Sequence, residues 1–178
     1  MEIHRTKILI FFFLLAFLGR TVFHLGPNIE LITLVMLLTA TYMGRKTSFW
    51  LTLSILLASD LILGNTNIFL FTWTGFLLPI LFAGKKGILQ NTATGIGANL
   101  FFYAWTNFGV WLLDSWGMYS RNLDGLLASY INGLPFLKNQ LLSTLVFIPL
   151  GFTIWEIALQ LKHDRLHAKH RELNFSQQ

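Results

Sequence analysis

The chain has no cysteine and few charged residues. Cysteine is absent, and only 12% of the 178 residues are charged, whereas 54% are hydrophobic. The lack of cysteine excludes disulfides, thiol catalysis and cysteine-ligated metals. A soluble domain of this length could not bury so much apolar surface, so we expect an integral membrane protein.

Motifs for nucleotide binding and catalysis are also missing. The sequence contains no Walker A motif, no H-E-x-x-H and no G-x-S-x-G. The acids Asp60 and Glu156 are predicted at opposite membrane depths, so they cannot act as a pair. We therefore expect no enzymatic activity and no cofactor. A membrane enzyme acting on lipid would need two convergent titratable groups.

Lysine and arginine are absent between Lys46 and Lys85. This interval holds Leu51–Phe76, an apolar run with one carboxylate, Asp60, and the polar turn 64–67. We interpret the run as two membrane-crossing helices joined by a hairpin. A carboxylate near the bilayer centre costs about 2.5–3.5 kcal/mol, which makes Asp60 a candidate for a ligand site or polar network. Alternatively, Asp60 reaches headgroup water or pairs with a helix terminus.

Apolar segments of helical length occur six times along the chain. The predicted fold is therefore all-α, a polytopic membrane bundle of about six helices over residues 1–161, followed by a basic cytoplasmic tail, 162–178. Pro79 is expected to kink the fourth helix. The predicted spans are Ile8–Phe23, Ile29–Met43, Phe49–Leu63, Ile68–Ala83, Ile88–Leu113 and Pro135–Leu161.

Basic residues favour one side of this predicted bundle. Ten of the 13 lysines and arginines fall on the side that holds both termini, and the other three are Arg20, Arg121 and Lys138. By the positive-inside rule both termini are cytoplasmic. The net charge of +5 thus reflects membrane topology and gives no sign of nucleic-acid binding. Histidines in the tail are spaced for a metal, but contact with anionic lipid is the favoured interpretation, and no metal site is expected.

The first outer loop contains Asn28, predicted to be the N-cap of the second helix. Glu30 would lie in the first helical turn, where the helix dipole favours a carboxylate. A role for Glu30 in a binding pocket is an equal alternative.

The fifth segment carries small and polar residues at spacings of three and four. Its inner half, from Asn91 to Gly97, is predicted to be a helix-packing seam. Its outer half is predicted to form a pocket for a small flat molecule, although an interfacial aromatic belt would use the same residue types. The outer-half residues are Asn99, Tyr103, Trp105, Thr106, Asn107 and Trp111.

The longest outer segment is Asp114–Leu134. Its apolar part, Leu123–Ile131, favours a short interfacial or re-entrant helix that acts as a lid, and a plain surface loop is the alternative. Pro135 would then occupy the first position of the sixth helix.

Several short motifs resemble an uncharacterised bacterial family of transport proteins, which is similar to the substrate-binding S components of energy-coupling-factor (ECF) vitamin transporters. The resemblance covers the chain to about residue 155. The motifs are Gly26-Pro27-Asn28, Ser59-Asp60-Leu61 with Gly64, Thr106-Asn107-Phe108 with Trp111, Tyr119, Gly125-Leu126, and Gly133-Leu134-Pro135-Phe136 with Asn139.

The resemblance implies a six-helix bundle in the bacterial cytoplasmic membrane with a vitamin-binding pocket near its outer face. A transmembrane coupling subunit and ATPase subunits would be its partners. The first helix departs from that pattern, since its small residues, Ala16 and Gly19, are spaced by three. The alternative is a membrane scaffold with no small-molecule ligand. The implied pocket residues are Asn28, Glu30, Asp60, Asn65, Asn99, Asn107, Trp111 and Asn139.

Overall fold

The computed structural model describes residues 2–23, 26, 28–64, 67–84, 87–114 and 117–175. Asn65 and the side chains of His167 and His170 lie outside this described part. Within it no residue forms a β-strand, which confirms the all-α prediction. The helices are α1 (Glu2–Thr21), α2 (Ile32–Met43), α3 (Arg45–Leu63), α4 (Phe69–Leu77) continued by a 3₁₀ helix (Leu78–Phe82), α5 (Ile88–Leu113) and α6 (Leu123–Phe175).

Two helical stretches are long and apolar enough to cross a membrane, judged by length and composition. They are Arg45–Leu63 and Leu123–Arg165 among the described residues. The segments Ile32–Met43 and Phe69–Phe82 are apolar but shorter. The two longer stretches support association with a membrane, and they are fewer than the six predicted spans.

Helix α2 forms the centre of the bundle. It contacts α1, α3, α5 and α6, and its residues 32–40 are all buried. A helix that is hydrophobic all round is stable only when it is enclosed in this way. The outer helices instead expose large apolar side chains, such as Leu61 at 88% and Leu89 at 82%. Exposed apolar surface of this kind is what a bilayer would cover.

Small residues allow α5 and α6 to approach closely. A Cβ atom at Gly95 would overlap Ile148, and one at Gly133 would overlap the side-chain amide of Asn107. Asn91 and Gly95 are buried, in agreement with the packing seam predicted for the inner half of α5, whereas Gly97 at the end of that half is exposed.

The start of α6 differs from its prediction. The helix begins at Leu123 and runs through Pro135, so the separate short helix was wrong. Asn122 explains this start, because its Oδ1 accepts the backbone N–H of Gly125 at 2.9 Å, as an N-cap does. The helix also continues past residue 161 into the predicted tail.

The start of α2 was also predicted wrongly. The helix begins at Ile32 without a side-chain cap, so neither Asn28 nor Glu30 belongs to it. Asn28 instead adopts a positive φ of 58°, a left-handed conformation that asparagine tolerates better than most residues. At Pro79, where a kink was predicted, the chain changes from an α-helix to a 3₁₀ helix.

Candidate functional site: a polar cavity at one end of the bundle

A cavity of about 480 Å³ opens at one end of the bundle. The end is defined by the C-terminus of α1, the connection before α2, and the N-terminal parts of α4 and α6. The C-terminal half of α5 forms one wall. Polar and aromatic side chains from all of these segments line the cavity.

An ion-pair network lies beside the cavity. Arg20, near the end of α1, donates from Nη2 to Asp60 Oδ1 at 3.0 Å and from Nη1 to Glu30 Oε2 at 3.3 Å. Trp73 donates its indole N–H to the second oxygen of Asp60, Oδ2, at 2.7 Å. Asp60 is only 8% exposed, so its carboxylate lies within the bundle.

This network changes the role expected for Asp60. Both of its oxygens are occupied by protein donors, and Asp60 does not line the cavity. Asp60 instead holds Arg20, and Arg20 lines the cavity. From the sequence, Arg20 was counted only as a basic residue on the less basic side. Its place at the end of an apolar helix, with acids on neighbouring segments, is the signal that could have revealed it.

The floor of the cavity consists of Asn28, Glu30 and Gln140. These residues also line a smaller recess of about 10 Å³, close to the size of one water molecule. Asn99 lies in that recess and donates to the Gln140 carbonyl at 2.9 Å and to Thr144 Oγ1 at 2.6 Å. Asn99 therefore supports the floor from behind.

Gln140 is a floor residue that the sequence did not single out. It is 5% exposed, and its side-chain amide makes no hydrogen bond to any described residue. Glu30 also has an unused acceptor. Arg20 contacts its Oε2, and no described residue donates to its Oε1. The floor thus presents hydrogen-bonding groups that the protein leaves unused.

Residues of α5 form a wall of the cavity. Tyr103 lines it with its ring, since its hydroxyl donates to the Tyr130 carbonyl at 2.7 Å. Asn107 lines it as well and donates to the Tyr103 carbonyl at 2.8 Å. Phe102 and Phe136 add aromatic surface.

The connection between α5 and α6 covers part of the cavity. Asp114 Oδ1 accepts the backbone N–H groups of Met118 at 2.9 Å and Tyr119 at 3.2 Å. Met118 and Tyr119 then reach the cavity, where Asn132 donates to the Tyr119 hydroxyl at 3.3 Å. A cover is thus present where a lid was predicted, but an irregular connection forms it.

Three predicted site residues lie away from the cavity. Trp105 donates to Thr74 Oγ1 at 2.8 Å, and Trp111 donates to the Ser120 carbonyl at 3.1 Å. Asn139 is half-buried and does not line the cavity. Helical phase explains Trp105, because positions 103, 106, 107 and 110 share one face of α5 and position 105 lies off it. Trp111 lies one turn beyond Asn107 on α5 and bonds to the α5–α6 connection instead.

The fold and this site define a helical bundle with a small-molecule-sized polar cavity at one end. The chain belongs to a family of unknown function, DUF6580, which matches residues 2–167. No curated protein and no solved structure matched the chain.

Proposed function

We propose that this protein is a membrane-embedded substrate-binding subunit of a small-molecule uptake system, without an ATPase of its own. The observation that carries the proposal is the cavity of about 480 Å³. Ligand sites in proteins typically measure about 300–1,000 Å³ and combine apolar walls with a few polar groups. The ligand would be a vitamin-like molecule, as the resemblance to ECF S components implies.

In this proposal the bundle crosses the bacterial cytoplasmic membrane six times. The exposed apolar side chains of the outer helices support contact with lipid. The cavity lies opposite the end that carries Arg5, Arg45 and Lys46. By the positive-inside rule that basic end is cytoplasmic, so the cavity faces outward.

Capture would occur from outside, and the α5–α6 connection would close over the ligand. Release inward would require partners, a transmembrane coupling subunit and ATPase subunits. Ala16 is fully buried and Gly19 packs against Leu31, so these small residues do not offer a docking surface. A coupling partner would therefore bind another face of the bundle.

Native mass spectrometry of the detergent-extracted protein tests the proposal. We expect a bound small molecule, either co-purified or taken up from a panel of vitamins, nucleobases and amines. Val110→Trp would fill the cavity, whereas Leu112→Trp places the same side chain at a position 38% exposed on the same helix. The first variant should lose the ligand and the second should retain it.

Wild-type protein that is folded and empty across the whole panel would contradict the proposal. Equal retention by the two tryptophan variants would show that any bound molecule lies outside this cavity. Stable co-purification of a protein partner from a ligand-free bundle would favour a scaffold instead.

A further inference from the structure

The charges around the cavity do not balance. Within the described part of the chain, three charged side chains line the cavity or bond to a side chain that lines it: Arg20, Glu30 and Asp60. Asp114 bonds to the backbone N–H groups of the cover residues Met118 and Tyr119. With Arg20, Glu30 and Asp60 all ionised, the three side chains sum to one negative charge. Burial raises the pKa of Glu30 above its ordinary value, so a bound cation would hold Glu30 in its ionised form. An uncompensated charge in a partly buried site is costly, so a bound group of opposite charge would stabilise it.

Arg20 is held between two carboxylates, and its Nε is buried without a hydrogen-bond partner among the described residues. One of its terminal nitrogens bonds Asp60 and the other bonds Glu30, so its charge is shared between two carboxylates. An anion placed against Arg20 would also lie beside these carboxylates and be repelled by them. The guanidinium thus holds the acids in place and leaves the surplus negative charge on the cavity floor.

The floor also offers the acceptors that a cation or amine would use. Glu30 Oε1 receives no hydrogen bond from the described residues, and it belongs to a residue that lines the cavity. Gln140 lines the cavity as well, and its side-chain amide is without a hydrogen-bond partner in that part of the chain, so a ligand could bond to it.

The walls suit a flat ring. Phe102, Tyr103 and Phe136 line the cavity, and aromatic faces attract cations through their quadrupoles. A ring between these side chains would place one polar edge on the floor.

We infer that the ligand is a small, flat, singly charged cation that bears N–H groups, with its charged edge on Glu30 and Gln140. This inference rests on the proposed function and names the ligand class of the same cavity. The cation would restore neutrality to the Arg20–Glu30–Asp60 network and donate to the unused oxygens.

Three isosteric probes test the inference with the wild-type protein. Naphthalene-2-carboxamidine, naphthalene-2-carboxamide and naphthalene-2-carboxylate have nearly the same shape and carry charges of +1, 0 and −1. Equilibrium dialysis against protein in nanodiscs would measure their affinities. We expect the amidine to bind at least about tenfold more tightly than the carboxamide, since an opposite charge nearby favours the cation. The carboxylate should bind most weakly.

Glu30→Gln supplies the matching variant. It removes the surplus charge and keeps a side chain of the same length beside Arg20, so the preference for the amidine should fall to less than about threefold. Glu156→Gln removes the same charge at the opposite end of the bundle and should preserve the preference.

Equal wild-type affinity for the amidine and the carboxamide would overturn the inference, and so would tightest binding of the carboxylate. An unchanged preference in Glu30→Gln would also overturn it. In each of these cases the Val110→Trp test could still support a binding subunit. An empty wild-type cavity across the panel and all three probes would overturn the proposed function as well.

Discussion

The two ends of the bundle both use polar side chains, but they use them differently. At the basic end Arg5 donates to Thr47 Oγ1 at 2.8 Å, and Arg45 donates to the Ala83 carbonyl at 2.9 Å. These bonds join neighbouring segments at their termini, and no ligand is needed to complete them. At the cavity end Arg20 lies between two carboxylates beside open space. The polar groups of the cavity end therefore differ from those of the basic end because they lie beside a space that a ligand could fill.

The largest expected difference between the ends concerns their acids. Asp60→Ala would remove two hydrogen bonds to a carboxylate, from Arg20 and from Trp73, and hydrogen bonds to charged groups contribute about 1.5–3 kcal/mol each. Arg20 would keep Glu30 as its carboxylate partner. Glu156 is exposed and accepts a hydrogen bond from the Tyr42 hydroxyl at 3.1 Å. Glu156→Ala should therefore cost less than about 1 kcal/mol. The melting temperature of each variant can be measured by fluorescence-detected size exclusion after heating.

Equal melting temperatures for these two variants would contradict the distinction between the ends. Asp60→Asn adds a further check, because it keeps the shape and removes the charge. We expect it to melt between wild type and Asp60→Ala, since an amide oxygen can still accept from Arg20 or Trp73.

A smaller effect is expected from the glycine that brings α5 and α6 together at the cavity. In Gly133→Ala the new methyl group would overlap the side-chain amide of Asn107, and overpacking of this kind costs about 1–3 kcal/mol. Gly97→Ala is the matched control, because no atom lies within 4 Å of the position that its new methyl group would take. That control should leave stability unchanged or raise it by up to about 1 kcal/mol. Thermal unfolding of both variants makes the comparison, and a destabilised Gly97→Ala with an unaffected Gly133→Ala would contradict the described packing.

The helices could be predicted from the sequence, since apolar runs interrupted by Gly-Lys or Gly-Asn turns leave few alternatives. Segment 88–113 was predicted with the bounds that α5 has. The start of α6 was predicted wrongly at Pro135, because Pro135 is a typical first residue of a helix and the capping role of Asn122 was not recognised. Proline is tolerated inside long helices, whereas an asparagine before a helical run is a direct start signal.

The site could be predicted only in part. Asn28, Glu30, Tyr103 and Asn107 line the cavity, as residues of the predicted outer end. Arg20 and Gln140 were missed because their importance depends on which partners the fold gives them or withholds. Membrane depth placed Trp105 and Trp111 with the pocket, but Trp105 lies on another face of α5 and Trp111 bonds to Ser120 in the α5–α6 connection.

The smallest expected effect tests whether the ligand-contacting residues of α5 are determined by their membrane depth or by the helix face on which they lie. Trp105→Phe keeps a ring beside Phe101 and Phe108 and loses the hydrogen bond to Thr74, at a cost of about 0.5–1.5 kcal/mol. Because the side chain lies outside the cavity, ligand retention should not change. Tyr103→Leu removes an aromatic wall two residues away and should weaken retention several-fold, as measured by dialysis with the amidine probe. If Trp105→Phe weakened ligand retention as much as Tyr103→Leu, the ligand would contact the face of α5 that carries Trp105. That result would contradict a ligand site in the cavity lined by Tyr103.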